Sequence, residues 1–169
     1  MIIKLGGSLL IVFGAYCVGC QIGNRRKKIS EMLKQLIIAI DQIGCELRYR
    51  KTSLPLVFRR IQTENATLNR FFTCLSDELD GQISPDVRCC VHAALTQISG
   101  IPEEIIKYIN LMGDLMGRFD LKAQVEGLDS LQEECRALLL QLSDNQDVYF
   151  RNCRTLALCA GTTLVILLF

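Results

Sequence analysis

The feature that most constrains this chain is a stretch without charge at each end. From Leu5 to Asn24 the sequence reads LGGSLLIVFGAYCVGCQIGN, with no Asp, Glu, Lys or Arg. Twenty helical residues at ~1.5 Å each cover roughly 30 Å, one bilayer hydrocarbon core. Arg25, Arg26, Lys27 and Lys28 follow at once, whereas only Lys4 precedes the run. Basic residues stay on the cytoplasmic side, so this cluster sets the topology: N-terminus outside, the rest of the chain entering the cytoplasm. A cleaved signal peptide is the competing reading, with Val18-Gly19-Cys20 as a loose cleavage box. Four basic residues just beyond such a site would resist translocation, and the run is long for a signal segment.

The second run, TLALCAGTTLVILLF, occupies Thr155 to Phe169. Fifteen residues reach only ~22 Å, short for a span. Arg151 and Arg154 can snorkel at the cytoplasmic face and lengthen it. A buried core helix is the alternative. The rows Ala15, Gly19, Gly23 and Ala157, Gly161 could let helices approach closely in lipid.

Between the ends, steps of three and four dominate. Ile29, Met32, Leu33, Leu36, Ile37, Ile40, Ile43 and Leu47 form one apolar stripe, continuing the first helix out of the membrane. Thr52-Ser53-Leu54-Pro55 breaks it and suits a new N-terminus. The pattern predicts a short helix to about Gln62 and another from Leu68 to Leu79, ended by Asp80-Gly81. Ser84-Pro85-Asp86 predicts the next start, with Ser84 as cap. Ser99-Gly100 breaks the chain again. Pro102-Glu103-Glu104 opens a helix whose stripe is Ile105, Ile109, Met112, Met116 and Phe119. A last helix from near Asp120 carries a heptad seam, Leu128, Leu131, Cys135, Leu138, Leu142, Asn145 and Tyr149. The seam is expected to pack inside the bundle; an intermolecular coiled coil is the competing reading.

The expected fold is therefore all-α: a cytoplasmic antiparallel helical bundle over residues 25–154, flanked by transmembrane helices at 1–24 and 155–169.

Composition excludes several functions. Nineteen basic against 18 acidic residues leave a formal net charge of +1, with no field to attract nucleic acid. Nine cysteines, an odd number scattered through helical pattern, do not make a disulfide scaffold, and Cys17-x-x-Cys20 lies inside an apolar run. They read as small, buried, unreactive thiols. The single histidine, His92, has no partner motif. No phosphate-binding Gly-Lys-Ser/Thr loop, Gly-x-Ser-x-Gly or His-Glu-x-x-His occurs, so no catalytic, cofactor-binding or metal-binding residue is assigned. Adjacent acids such as Glu103-Glu104 fall on different helix faces and read as solvated charges.

Two stretches go further. The front carries Lys4-Leu5-Gly6-Gly7-Ser8, the basic cluster, Glu46, Leu47-Arg48-Tyr49 and Thr52-Ser53-Leu54-Pro55. The back carries Leu111-Met112-Gly113-Asp114-Leu115-Met116-Gly117-Arg118-Phe119-Asp120 with Gln124 beyond. This resembles the stage III sporulation protein AB family, with Met112 and Met116 where leucines are usual. Gly113 and Gly117, spaced one turn apart, read as a close helix crossing, and Asp120 as the cap of the next helix; Gly113, Asp114, Gly117, Asp120 and Gln124 are the candidate structural or partner-contact residues. The resemblance implies a non-catalytic platform in the sporulation channel complex, in the mother-cell membrane around the forespore. It would be similar to inner-membrane platforms of type II secretion and type IV pilus machines. The implied partners are a secretion-type ATPase (stage III sporulation protein AA), other membrane components and the lipid bilayer. A membrane-anchored helical sensor or regulator is the rival, disfavoured because only short tails would lie outside.

Overall fold

The structure is a computed structural model that describes residues 2–50, 52–81, 86–116 and 120–144, together with Thr155 and Cys159; side chains are described within these ranges from Asn24 to Ser143 and at the two isolated residues. Among the described residues there are six α-helices, one π-helical turn and no strand. The helices are α1 (Ile2–Cys45), α2 (Leu54–Arg60), α3 (Ala66–Asp80), α4 (Val87–Gln97), α5 (Glu103–Leu115) and α6 (Leu121–Asp144). Residues 29–139 form one compact unit, and residues 1–28 with 140–169 form another.

The apolar stripe of α1 is the spine of the 29–139 unit. Met32, Leu33, Leu36, Ile40 and Ile43 are fully enclosed, and the polar positions between them, Glu31, Lys34 and Asp41, face solvent. A helix repeats every 3.6 residues, so this spacing fixes which side faces the core. At Glu46 the helix widens into a π turn, Glu46–Arg50.

α2 begins at Leu54 with Pro55 in its first turn, where a missing N–H costs nothing. It ends at Arg60, slightly before the expected Gln62. α2 packs on α3, α3 on α4 and α4 on α5, in chain order. Phe58 stacks on Phe72 with ring centroids 6.1 Å apart, and Phe71 meets Phe72 edge-on at 5.2 Å. The buried Ser76 hydroxyl donates to the Pro55 carbonyl, which ties α3 to the start of α2.

Local capping explains the helix starts. Asn65 accepts from the Thr67 and Leu68 amides and opens α3 two residues earlier than the apolar pattern predicts. Asp86, not Ser84, caps α4, accepting from the Arg88 amide; Ser84 and Pro85 lie outside the described residues. Gly100 takes φ +95° in the connection to α5, a conformation that other side chains resist.

The largest departure from the sequence reading is at the end of α5. The stripe of threes and fours continues to Met116, but the helix stops at Leu115, and Met116 is extended at φ −77°, ψ 151°; Phe119 lies outside the described residues. Met116 is nevertheless buried, so the periodic residue keeps its place in the core without helical backbone.

α6 buries the first members of its seam, Leu128, Leu131 and Cys135, while Leu138 and Leu142 are only half-buried. Asn145 and Tyr149 lie outside the described residues. α6 meets α1 through Gln132, whose amide donates to the Ile37 carbonyl and the Asp41 carboxylate, both at 3.4 Å.

Among the described residues no helix is long and apolar enough to cross a membrane. The side chains of the first run up to residue 23 lie outside the description, as does 155–169 apart from Thr155 and Cys159.

Candidate functional site

The residues singled out in the 111–124 stretch fall on the end of α5 and the start of α6. Gly113 is buried, and a Cβ there would lie 3.0 Å from Val91 Cγ2 and 3.3 Å from Val91 Cβ on α4. A hydrogen in place of a methyl is what lets α4 and α5 come this close. Asp114, beside it, is half-exposed and pairs with the Arg88 guanidinium of α4 at 2.6 Å. The contact at Gly113 and the ion pair at Asp114 thus join the same two helices.

Asp120 caps α6: its carboxylate accepts from the Lys122 amide at 3.0 Å, and its carbonyl accepts from the Gln124 amide at 3.1 Å. Gln124, one turn into α6, is buried. Gly117 lies outside the described residues.

A second close approach comes from a glycine that the sequence reading passed over. A Cβ on Gly127 of α6 would lie 2.6 Å from Leu115 Cδ2, at the last turn of α5. A glycine inside a helix costs ~1 kcal/mol relative to alanine, so its presence among good helix formers was itself a signal of crowding.

The topology cluster Arg25, Arg26, Lys27 and Lys28 lies on α1. Four consecutive residues turn ~100° per step, so their side chains surround the helix rather than form one face.

The π turn builds a second locus. The Glu46 carboxylate accepts from Arg50 at 2.8 Å and from the Thr52 hydroxyl at 3.0 Å. Arg48 forks onto Asp129 of α6 at 2.8 and 3.1 Å. Arg59 of α2 bridges Asp77 and Asp80 of α3. An open cleft of about 600 Å³ lies here, lined by residues of α1, the π turn, α2 and the segment just after it. Single-turn π segments concentrate at functional sites. No propensity scale marks one in Glu-Leu-Arg-Tyr-Arg, although Glu46 and Tyr49 belong to the stretch that carried the family resemblance.

The thiols divide by burial. Burial, with Glu134 beside it, pushes Cys135 up to about 12. Burial and the neighbouring Glu78 also raise Cys90 and Cys74. Cys45 and Cys89, by contrast, are exposed, so the expectation of buried thiols does not hold throughout. Among the described residues no group of His, Cys, Asp or Glu could hold a metal ion.

These features define an all-helical bundle protein whose tight points are helix crossings. The profile of the Stage III sporulation protein AB family matches residues 4–169, and the chain belongs to that family. A solved structure described as Stage III sporulation protein AB is similar in fold, with a TM-score of 0.60 at 16% identity; the match covers 69% of this chain and 94% of that one. No curated protein matches the chain.

Proposed function

We propose that this sporulation protein is a non-catalytic membrane platform of the channel complex between mother cell and forespore. The apolar terminal segments, 1–24 and 155–169, anchor it in the mother-cell membrane around the forespore. The bundle, within 25–154, faces the cytoplasm and couples a secretion-type ATPase to the membrane components. The observation that carries this reading is the family match, which runs from residue 4 to residue 169 and so includes both apolar ends as well as the bundle. The absence of a phosphate-cradling motif in the sequence supports a role for the protein as the ATPase's partner rather than as a second ATPase.

The test uses the full chain in nanodiscs with the purified stage III sporulation protein AA ATPase. Association at micromolar strength, roughly −8 kcal/mol, is expected. Substitutions on exposed helix faces should weaken it more than substitutions in the apolar stripes that preserve the fold. No association between two folded proteins would remove the coupling role, and ATP turnover by the platform alone would overturn its non-catalytic assignment.

A further inference from the structure

We propose that the cleft at the π turn receives an acidic peptide segment of a partner protein, with a carboxylate seated on Arg60 and the adjoining chain laid against Tyr49. This rests on the reading of the protein as an assembly component, and it names the surface and the chemistry of the partner.

Three observations carry it. The first is the state of the Arg60 guanidinium. Among the described residues its nearest carboxylate oxygen is Glu46 Oε2 at 3.9 Å, beyond hydrogen-bond range. That oxygen already accepts from Thr52, and the other Glu46 oxygen accepts from Arg50. Glu46 is therefore occupied, and Arg60, 57% exposed, retains its planar fork of donors at the cleft wall. Arg50 and Arg60 against one Glu46 leave the lining with an excess positive charge, so an incoming carboxylate meets complementary charge.

The second observation is Tyr49. It is 77% exposed on the same wall, although a ring of that size is normally at least partly covered. Tyrosine and arginine are the residues over-represented where binding energy concentrates in protein interfaces. The third is the backbone. Tyr49 and Arg50 belong to the π turn, and Arg48 of the same turn pairs through Nη2 with both carboxylate oxygens of Asp129 on α6. The Tyr49 ring is thus presented from a held segment, which lowers the ordering cost of binding. The buried Val57 and Ile61 supply an apolar floor.

A lipid headgroup would share the anionic chemistry. Attraction to an anionic membrane surface, however, draws on clusters of about four to eight cations. Here two arginines flank a concave site with an apolar floor, which suits a peptide side chain and its neighbours.

The experiment places a photo-crosslinking benzoylphenylalanine at Gln62, an exposed residue lining the cleft, in the full chain within sporulating cells. Adduct peptides are then sequenced. The expected adduct is a protein segment bearing Asp or Glu, and its yield should fall about tenfold in Arg60→Glu and in Tyr49→Ala, as for the loss of a principal contact. Changing the captured acid to lysine should restore yield with Arg60→Glu. Both side chains are exposed, so the variants should stay folded, with a small loss in melting temperature for Arg60→Glu, which sets an acid in the last turn of α2 beside Glu46, and two variants guard against a misfolded one. Adducts to lipid alone, protein adducts unchanged by both variants, or no adduct would each overturn the cleft proposal. An acidic segment captured from a protein other than the ATPase would keep the cleft and leave the ATPase coupling to the nanodisc association. Co-purification of the ATPase without any cleft adduct would remove the cleft and keep the coupling.

Discussion

At the scale of single residues, the two glycine contacts look alike but should behave differently. Val91 is β-branched and buried, and a new Cβ at Gly113 would press on its Cβ as well as its methyls. Gly113→Ala is expected to cost ~1–3 kcal/mol in overpacking, from which ~1 kcal/mol of helix propensity is recovered, and Gly113→Leu to disrupt the packing of α4 on α5. At Gly127 the obstructing atom is the free end of the half-exposed Leu115, which can change rotamer. That adjustment, ~0.5–1.5 kcal/mol, is offset by ~1 kcal/mol of helix propensity. Thermal melting should therefore separate the pair, and equal losses for both alanines would show that side-chain stiffness does not decide the outcome. Cys135 gives a second residue-level expectation. Its proton is held in the folded state up to about 12 against an ordinary 9.0, so the unfolded chain loses that proton first. Its contribution is complete below pH 9 and disappears as pH rises toward 12. Between pH 9 and 11 the wild type should lose stability more steeply than Cys135→Ala; identical slopes would contradict the burial of the thiol.

At the scale of elements, what the sequence made legible depended on whether the signal was periodic or local. The α1 stripe was readable because each of Met32, Leu33, Leu36, Ile40 and Ile43 is both periodic and fully enclosed. The same periodicity misled at α5. Met116 continues the spacing and is buried, yet its backbone is extended, since burial constrains where a side chain goes and not which backbone carries it. Caps were visible as residue types, but the choice between Ser84 and Asp86 turns on backbone geometry that three adjacent polar or ring residues leave open. At the candidate site, Asp114 could be named from sequence, but its partner Arg88, 26 positions earlier, could not, because only tertiary packing brings α4 beside α5. Asp120 is legible as the α6 cap, because Asp directly before a helical pattern has few other uses. Asp120→Ala should lower stability by ~1 kcal/mol, and Asp120→Asn, an equally good cap, should not. A calorimetric scan that finds both variants equally destabilised would assign the effect to charge rather than to the hydrogen bond.

At the scale of the whole molecule, the proposed topology makes a direct demand on the exposed Cys89. A membrane-impermeant thiol reagent applied to intact cells should leave it unlabelled and should label it after lysis; strong labelling before lysis would place the bundle on the other side of the membrane. The π turn also has an arithmetic consequence. A segment that turns more slowly than the α-helix before it holds roughly one residue in excess of what an α-helix would use over the same rise. Such a surplus can be removed by subtraction, which no substitution can imitate. Deleting Tyr49 should let the segment rewind as α-helix, moving Arg50 into the preceding slot while leaving the α1 stripe before Cys45 in phase. Helical content by circular dichroism should hold or rise, and the melting temperature should fall only by what the local salt bridges supply. The shortened protein would keep the architecture of its relatives but present a different face at that corner, so a single-codon loss could alter which proteins it meets without altering how it folds.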